Sequence, residues 1–142
     1  MKLKVCGMTS FQQLQKLDQL GVDFAGLIFY ENSKRFVGDK LNAKKSEIKN
    51  LQIKKVGVFV NAEIDNIKKE VKEYGLSYVQ LHGDESAEFC RDVKNFVSVI
   101  KALRINEETD LEKELNVFGE TCDYLLFDTD SKQYGGTRKQ FN

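Results

Sequence analysis

The chain has 142 residues, which is enough for one domain with a sizeable hydrophobic core. Apolar residues make up 41% and charged residues 31%, and 22 basic side chains balance 22 acidic ones. This balance argues against a nucleic-acid-binding surface or a basic membrane surface, and the opening residues lack the apolar run of a signal peptide. The composition therefore predicts one soluble domain, 1–142, without nucleic-acid or membrane partners.

Six short apolar segments recur along the chain. Most of them carry apolar residues on both faces, as buried parallel strands do. We predict strands at 3–6, 24–29, 55–60, 78–81, 97–103 and 123–128. From Phe29 the strand ends follow one another in steps of 31, 21, 22 and 24 residues, and each step is long enough for one right-handed βα unit.

Five helical segments alternate with these strands. Polar residues before the apolar stripes predict helix starts, and glycines predict stops. The predicted N-caps are Thr9 or Ser10, Asp84 and Thr109, and the predicted stops are Gly21, Gly75 and Gly119. The second helix, near 43–51, has the weakest periodicity, and the fifth is predicted to turn Leu111, Leu115 and Phe118 inward.

The alternation predicts an α/β fold with a parallel sheet and helices outside it. Several strands end in a reactive or polar residue, and a (β/α) barrel gathers its functional groups at the carboxyl ends of its strands. The order of the elements thus predicts where a functional site lies, at the carboxyl ends of the strands, but not which reaction it catalyses.

Cys6 and Asp128 are the strongest catalytic candidates. Cys6 ends the first strand and precedes Gly7; a thiolate there is a competent base or nucleophile, although a cysteine is also a common small core residue. Asp128 ends the last apolar run, where a carboxyl group is either a cap or an acid or base. Together they would make an acid–base pair on one rim of the barrel.

Three further features of the sequence leave two interpretations open each. Arg35, in the loop after the second strand, presents a fork suited to a carboxylate or phosphate, but it can also be simply solvated. His82, the only histidine, is either a substrate contact or a satisfied loop residue. Gly135 and Gly136 can bend the backbone around an anion or serve only as a flexible loop.

The three cysteines, Cys6, Cys90 and Cys122, are odd in number and show no C-x-x-C spacing. With a single histidine they argue against a structural zinc site, so no metal is expected. We interpret them as reduced thiols of a cytoplasmic protein.

Taken together, five blocks of sequence resemble the phosphoribosylanthranilate isomerase family of tryptophan biosynthesis. Their order and spacing make the resemblance specific, and it covers the whole chain. The blocks are 4–9 (KVCGMT), 26–30 (GLIFY) with 33–37 (SKRFV), 56–61 (VGVFVN), 79–85 (VQLHGDE), and 126–129 (LFDT) with 134–137 (YGGT).

This resemblance implies a (β/α)8 barrel, and an aldose–ketose isomerase that uses no cofactor. The implied reaction is the Amadori rearrangement of N-(5-phosphoribosyl)anthranilate to 1-(2-carboxyphenylamino)-1-deoxyribulose 5-phosphate. The family pattern implies that Cys6 is the general base at the sugar C2 and that Asp128 is the general acid at the ring oxygen. It implies that Arg35 meets the anthranilate carboxylate.

The same pattern implies substrate contacts for His82, Gln80, Gly135 and Gly136. The sequence departs from it at Lys34, where the family often has proline, and at Arg138, where it usually has glycine.

The resemblance also implies that the family continues into two further βα units, whose loops hold the substrate phosphate. We therefore expect an incomplete barrel of about six strands and five helices, with little or no activity of its own. The alternative is a non-catalytic open α/β module that binds a ligand or self-associates through exposed sheet edges. A phosphosugar isomerase of another family is disfavoured, because those commonly use two carboxylates.

Overall fold

The computed structural model describes residues 1–129, as six strands and five α-helices in strict alternation. The strands are β1 (Lys4–Cys6), β2 (Phe24–Ile28), β3 (Lys54–Phe59), β4 (Leu76–Leu81), β5 (Ser98–Ile105) and β6 (Tyr124–Thr129). The helices are α1 (Phe11–Gln19), α2 (Lys45–Lys49), α3 (Ile64–Tyr74), α4 (Ala87–Lys94) and α5 (Leu111–Phe118). A 3-10 turn (Asn42–Lys44) precedes α2. The predicted site residues Gly135 and Gly136, the 134–137 block that contains them, and Arg138 lie outside the described residues.

All strands are parallel, and each pairs with its neighbours in the sequence, in the order β1-β2-β3-β4-β5-β6. The core lies between this sheet and the helices, where Leu27, Ile67, Val79 and Val93 are fully buried. The α/β alternation predicted from the sequence is confirmed.

The sheet is strongly curved. Neighbouring strands lie about 4.8 Å apart, so β1 and β4 would stand about 14 Å apart on a flat sheet. Nevertheless Lys4 Nζ on β1 lies 2.7 Å from Gln80 Oε1 on β4. Deeper on the same concave face, the Tyr78 ring packs against Phe24 on one side and Tyr124 on the other, with centroids 5.6 and 5.9 Å apart. The six strands thus form a half-barrel.

Two predicted helix caps are wrong, each by one or two residues. Ser86, not Asp84, caps α4, because the Asp84 carboxylate pairs with Arg104 from the end of β5. Asp110, not Thr109, caps α5, because the Thr109 hydroxyl is bonded to Asn106 in the preceding loop.

The other helix limits follow the sequence closely. Ser10 caps α1 in a capping box with Gln13, and Gly75 ends α3 in the left-handed conformation. The helix predicted at 43–51 is shorter, a single turn and a half after the 3-10 turn. In α5 only Phe118 is buried, whereas Leu111 and Leu115, predicted to face inward, are exposed.

Candidate active site

The carboxyl edge of the concave face begins with the Cys6 thiol. Cys6 pairs in register with Gly26 of β2. A Cβ at position 26 would lie 2.6 Å from Cys6 Sγ, closer than van der Waals contact allows. The thiol of Cys6 therefore occupies the space that the missing side chain of Gly26 leaves.

Arg35 covers the turn that follows β1. Its Nη1 donates a hydrogen bond to the Cys6 carbonyl at 3.1 Å. Gly7 has a φ of 84°, and a Cβ there would lie 2.5 Å from Arg35 Nη1. The amides of Gly7 and Met8 both donate to the Gly26 carbonyl at 3.0 Å. The loop after β2 thus brings a guanidinium group to the backbone beside the Cys6 thiol.

A continuous polar chain crosses the concave face from β1 to β6. Lys4 Nζ donates to Gln80 Oε1 at 2.7 Å, and Gln80 Nε2 lies 2.9 Å from His82 Nδ1. His82 Nε2 lies 3.2 Å from Asp128 Oδ2. Gln80 and His82 are 3% and 5% exposed, so their polar atoms meet protein partners rather than water.

Burial governs the charge states along this chain. Burial lowers the pKa of His82, and the hydrogen bond and negative charge of Asp128 oppose that effect only in part. Burial also lowers the pKa of Lys4, and the electrostatic interaction with Cys6 opposes this effect. The histidine is therefore uncharged at neutral pH, and Lys4 interacts electrostatically with Cys6 and through a hydrogen bond with Gln80.

A buried ion pair holds the loop that carries His82. Lys101 Nζ on β5 lies 3.0 Å from Glu85 Oε1 and 2.8 Å from the Gly83 carbonyl oxygen. The other oxygen of Glu85 accepts from the Asn61 amide at 2.9 Å, at the end of β3. Both charged side chains are less than 5% exposed. Glu85 therefore links the segments that follow β3 and β4 to the middle of β5.

The structure brings the predicted residues into two groups. Arg35 and Cys6 form the first group, and Gln80, His82 and Asp128 form the second. Lys4, two residues before Cys6 on β1, connects them.

The sequence interpretation missed Lys4, Gly26, Glu85 and Lys101. The available signal was the charge of Lys4 and Lys101 inside otherwise apolar strands, where only a paired charge is expected to be buried.

Within residues 1–129, no group of three or more His, Cys, Asp or Glu side chains could hold a metal ion. The same part of the chain has no helix long and apolar enough to cross a membrane.

The strands form a half-barrel of sequential parallel strands. Thiol, carboxyl, imidazole and guanidinium groups lie at its carboxyl edge. These features define a (β/α)-barrel protein with an enzyme-like site. The family model for N-(5'-phosphoribosyl)anthranilate (PRA) isomerase matches residues 3–142. The chain belongs to this family.

Named relatives agree with this assignment. The N-(5'-phosphoribosyl)anthranilate isomerase of Parabacteroides distasonis is 42% identical over 100% of this chain and 65% of its own length. The protein of the same name from Phocaeicola vulgatus is 39% identical over 100% of this chain and 67% of its own. The chain thus spans about two thirds of the length of these curated relatives.

Solved structures share the fold. Phosphoribosyl anthranilate isomerase from Thermotoga maritima superposes with a TM-score of 0.83 at 34% identity, over 100% of this chain and 68% of that one. A complex of the isomerase with reduced 1-(o-carboxyphenylamino)-1-deoxyribulose 5-phosphate has a TM-score of 0.78 at 33% identity, over 92% of this chain and 66% of that one. The predicted barrel family is confirmed.

Proposed function

We propose that this chain carries the acid–base groups of N-(5'-phosphoribosyl)anthranilate isomerase, an aldose–ketose isomerase of tryptophan biosynthesis. The observation that carries the proposal is the His82–Asp128 hydrogen bond at the carboxyl edge of the face on which Cys6 lies. The relatives that bear this name support it, and they align with all of this chain. In this proposal, the third of the relatives' length that this chain does not cover supplies the further groups that the complete activity needs.

The proposed reaction needs one proton donor and one proton acceptor. Asp128 gives a proton to the ring oxygen, the C1–O bond breaks, and the nitrogen lone pair forms a C=N bond to C1. The Cys6 thiolate then removes the C2 proton to give an enolamine. Protonation at C1 and loss of the proton on the C2 hydroxyl complete the aminoketose. Substrate and product are isomers, so no oxidant or cofactor enters the proposed mechanism.

The remaining candidate groups bind the substrate in this proposal. Arg35 meets the anthranilate carboxylate with its planar fork, beside the end of β1 where Cys6 lies. His82 reaches the substrate through Asp128. The proposed ligand class is the phosphosugar-anthranilate compound seen with the related isomerase. Gly135 and Gly136 are proposed contacts from beyond the described residues, and a cytoplasmic location stays a prediction from the sequence.

The test is turnover of substrate generated in situ. The 142-residue chain is compared with a chimera that adds the C-terminal third of the Parabacteroides distasonis relative. We expect the chimera to be active and the short chain to be at least about 100-fold slower, because positioning supplies much of such a rate enhancement. A folded but inactive chimera would contradict the proposed function.

Single variants of the active chimera test the two catalytic roles. Cys6→Ala and Asp128→Asn should each reduce kcat about 100- to 10,000-fold, the range of general acid–base catalysis. Cys90→Ala is the matched cysteine control, since that thiol is fully buried in the core, and its turnover should persist wherever the variant remains folded. Near-normal turnover in Cys6→Ala or Asp128→Asn would remove that residue from the mechanism.

A second candidate function, a self-associating module, is favoured by one observation. Tyr124 and Phe127 on the edge strand β6 are 52% and 39% exposed, and an apolar sheet edge favours pairing with another chain. One related structure is of monomers generated from the dimeric isomerase of Thermotoga maritima. The oligomeric state of the chain in solution tests this candidate.

A further inference from the structure

Lys4 determines which atoms donate and which accept along the polar chain on the concave face. Lys4 carries an ammonium group, which can donate hydrogen bonds but cannot accept them. The Gln80 atom that lies 2.7 Å from Lys4 Nζ must therefore be the carbonyl oxygen. This fixes the orientation of the Gln80 amide, which the shape of the side chain alone would leave ambiguous.

The orientation of Gln80 in turn fixes the proton on His82. With its oxygen turned toward Lys4, Gln80 presents its NH2 group to His82 Nδ1 at 2.9 Å. Nδ1 must then be the unprotonated, accepting nitrogen of a neutral ring. The ring proton lies on Nε2 and is donated to Asp128 Oδ2 at 3.2 Å. The second oxygen, Oδ1, accepts the Thr129 amide at 3.0 Å.

We propose that Lys4 and Gln80 are positioning residues that hold His82 as the neutral Nε2–H tautomer, so that no imidazolium charge stands beside the Asp128 carboxyl group. A neutral donor lowers the proton affinity of a carboxyl group less than an imidazolium ion beside it would. A general acid must give up a proton, and an imidazolium ion beside a carboxyl group opposes its protonation more than a neutral ring does. The catalytic part of this inference rests on the proposed function, whereas the tautomer of His82 does not.

The groups around His82 agree with a neutral ring. Asp128 on β6 and Gln80 on its own strand are hydrogen-bonded to it, and the charges of Lys4 on β1 and Lys101 on β5 also act on it. Burial and the two lysine charges oppose a second proton, and only Asp128 favours one. Gln80 adds no charge, so it holds the ring without stabilising the cation.

The chain has a single histidine, so NMR of the 142-residue chain labelled with ¹⁵N-histidine gives one pair of imidazole nitrogen signals. Above pH 7 we expect Nδ1 at the position of an unprotonated ring nitrogen and Nε2 at that of a protonated one. A protonated Nδ1 in the unmodified chain would overturn the inference without any variant. The measurement does not depend on turnover.

Two single-residue variants then change the hydrogen bonds of the polar chain, one at Gln80 and one at Lys4. Gln80→Glu places a carboxylate opposite Nδ1, so the ring should take a second proton between two acids, and the pH midpoint of its nitrogen signals should rise. Lys4→Met removes the obligate donor, so a fraction of His82 should shift to the Nδ1–H tautomer. Lys2→Met is the matched control, because Lys2 is exposed two residues earlier, and it should leave both nitrogen signals unchanged.

Turnover of the same variants in the active chimera tests the catalytic part. Gln80→Glu and Lys4→Met should lower kcat at least about 10-fold with little change in KM, and Gln80→Glu should also shift the pH profile of kcat. Unchanged imidazole signals in Gln80→Glu would overturn the tautomer assignment. Altered signals with unchanged kcat and pH profile would overturn the positioning role. An inactive parent chimera would instead contradict the proposed function alone.

Discussion

At the scale of single residues, the site depends as much on absent side chains as on reactive ones. The Cys6 thiol fits because position 26 has no Cβ, and the Arg35 guanidinium fits because position 7 has none. Gly7 also adopts a φ of 84°, which other residues rarely do. Gly7 and Gly26 take no part in the chemistry, but the space that they leave explains why glycine stands at these positions of the sequence motifs.

Gly26→Ala should impair the reaction more than the fold. The added methyl group would displace Cys6 Sγ, which lies 2.6 Å from the new Cβ position, and overpacking of this kind costs about 1–3 kcal/mol. We expect kcat of the chimera to fall at least about 10-fold, with the free energy of unfolding in urea reduced by no more than that range. As a control, Gly21→Ala adds a methyl group where no atom lies within 4 Å, although its positive φ also carries strain. Full turnover of Gly26→Ala would show that the thiol position is not critical.

His82 should make the stability of the chain depend on pH. Burial lowers its pKa in the folded state, so the unfolded chain binds more protons below the ordinary histidine value of about 6.5. The free energy of unfolding should therefore decrease as pH falls through 6.5 toward the lower folded-state pKa, and be fully restored above 6.5.

The measurement is urea unfolding at a series of pH values for the unmodified chain and for His82→Gln. The difference in unfolding free energy between the two should change with pH in that window. Burial raises the pKa of Glu70, so this residue makes the free energy of unfolding change with pH in the opposite direction. Its contribution is present in both proteins and cancels in their difference. A pH-independent difference would mean that His82 titrates normally in the folded chain.

At the scale of elements, the loop between β4 and α4 is held by charge. Lys101 contacts Glu85 and the Gly83 carbonyl oxygen inside the protein, behind the loop that begins with His82. Such a buried pair contributes little net stability, but removing one partner leaves the other charge buried and unpaired.

Lys101→Met should therefore lower the free energy of unfolding by about 3–5 kcal/mol. The double variant Lys101→Met with Glu85→Gln removes both charges and should recover part of that loss. Urea unfolding of the two single variants and the double variant gives the coupling energy directly. Equal losses in Lys101→Met and in the double variant would show that the buried charge of Glu85 is not the cause.

How far the sequence predicts these elements depends on how local each signal is. The apolar runs predict β2, β3 and β6 to within one residue, and Gly75 predicts the end of α3. The caps of α4 and α5 failed because two neighbouring polar residues could each cap, and contacts with Arg104 and Asn106 decide between them. The role of Lys4 could not be predicted, since its partner Gln80 lies 76 residues away.

At the scale of the whole molecule, the described half-barrel has two edges, β1 and β6. The apolar side chains exposed along the β6 side are Leu111, Leu115, Val117, Tyr124 and Phe127. An apolar surface of this kind at a strand edge is typical of a place where another segment or chain packs.

Phe127→Lys should reduce self-association of the 142-residue chain, because a charge on an edge strand opposes pairing. Light scattering after size-exclusion chromatography over a range of concentrations measures the effect. Glu107→Gln, in the exposed loop before α5, is a control that changes the net charge by the same amount. A chain that is monomeric at all concentrations would exclude the self-associating module.

The curvature of the sheet has a consequence for the order in which the molecule folds. Strand pairs form between neighbours in the sequence, so β1 to β4 can add one after another as local steps. The Lys4–Gln80 hydrogen bond spans 76 residues and requires all four strands to be docked and bent. We therefore expect the polar chain to assemble late in folding, after the first four strands have paired.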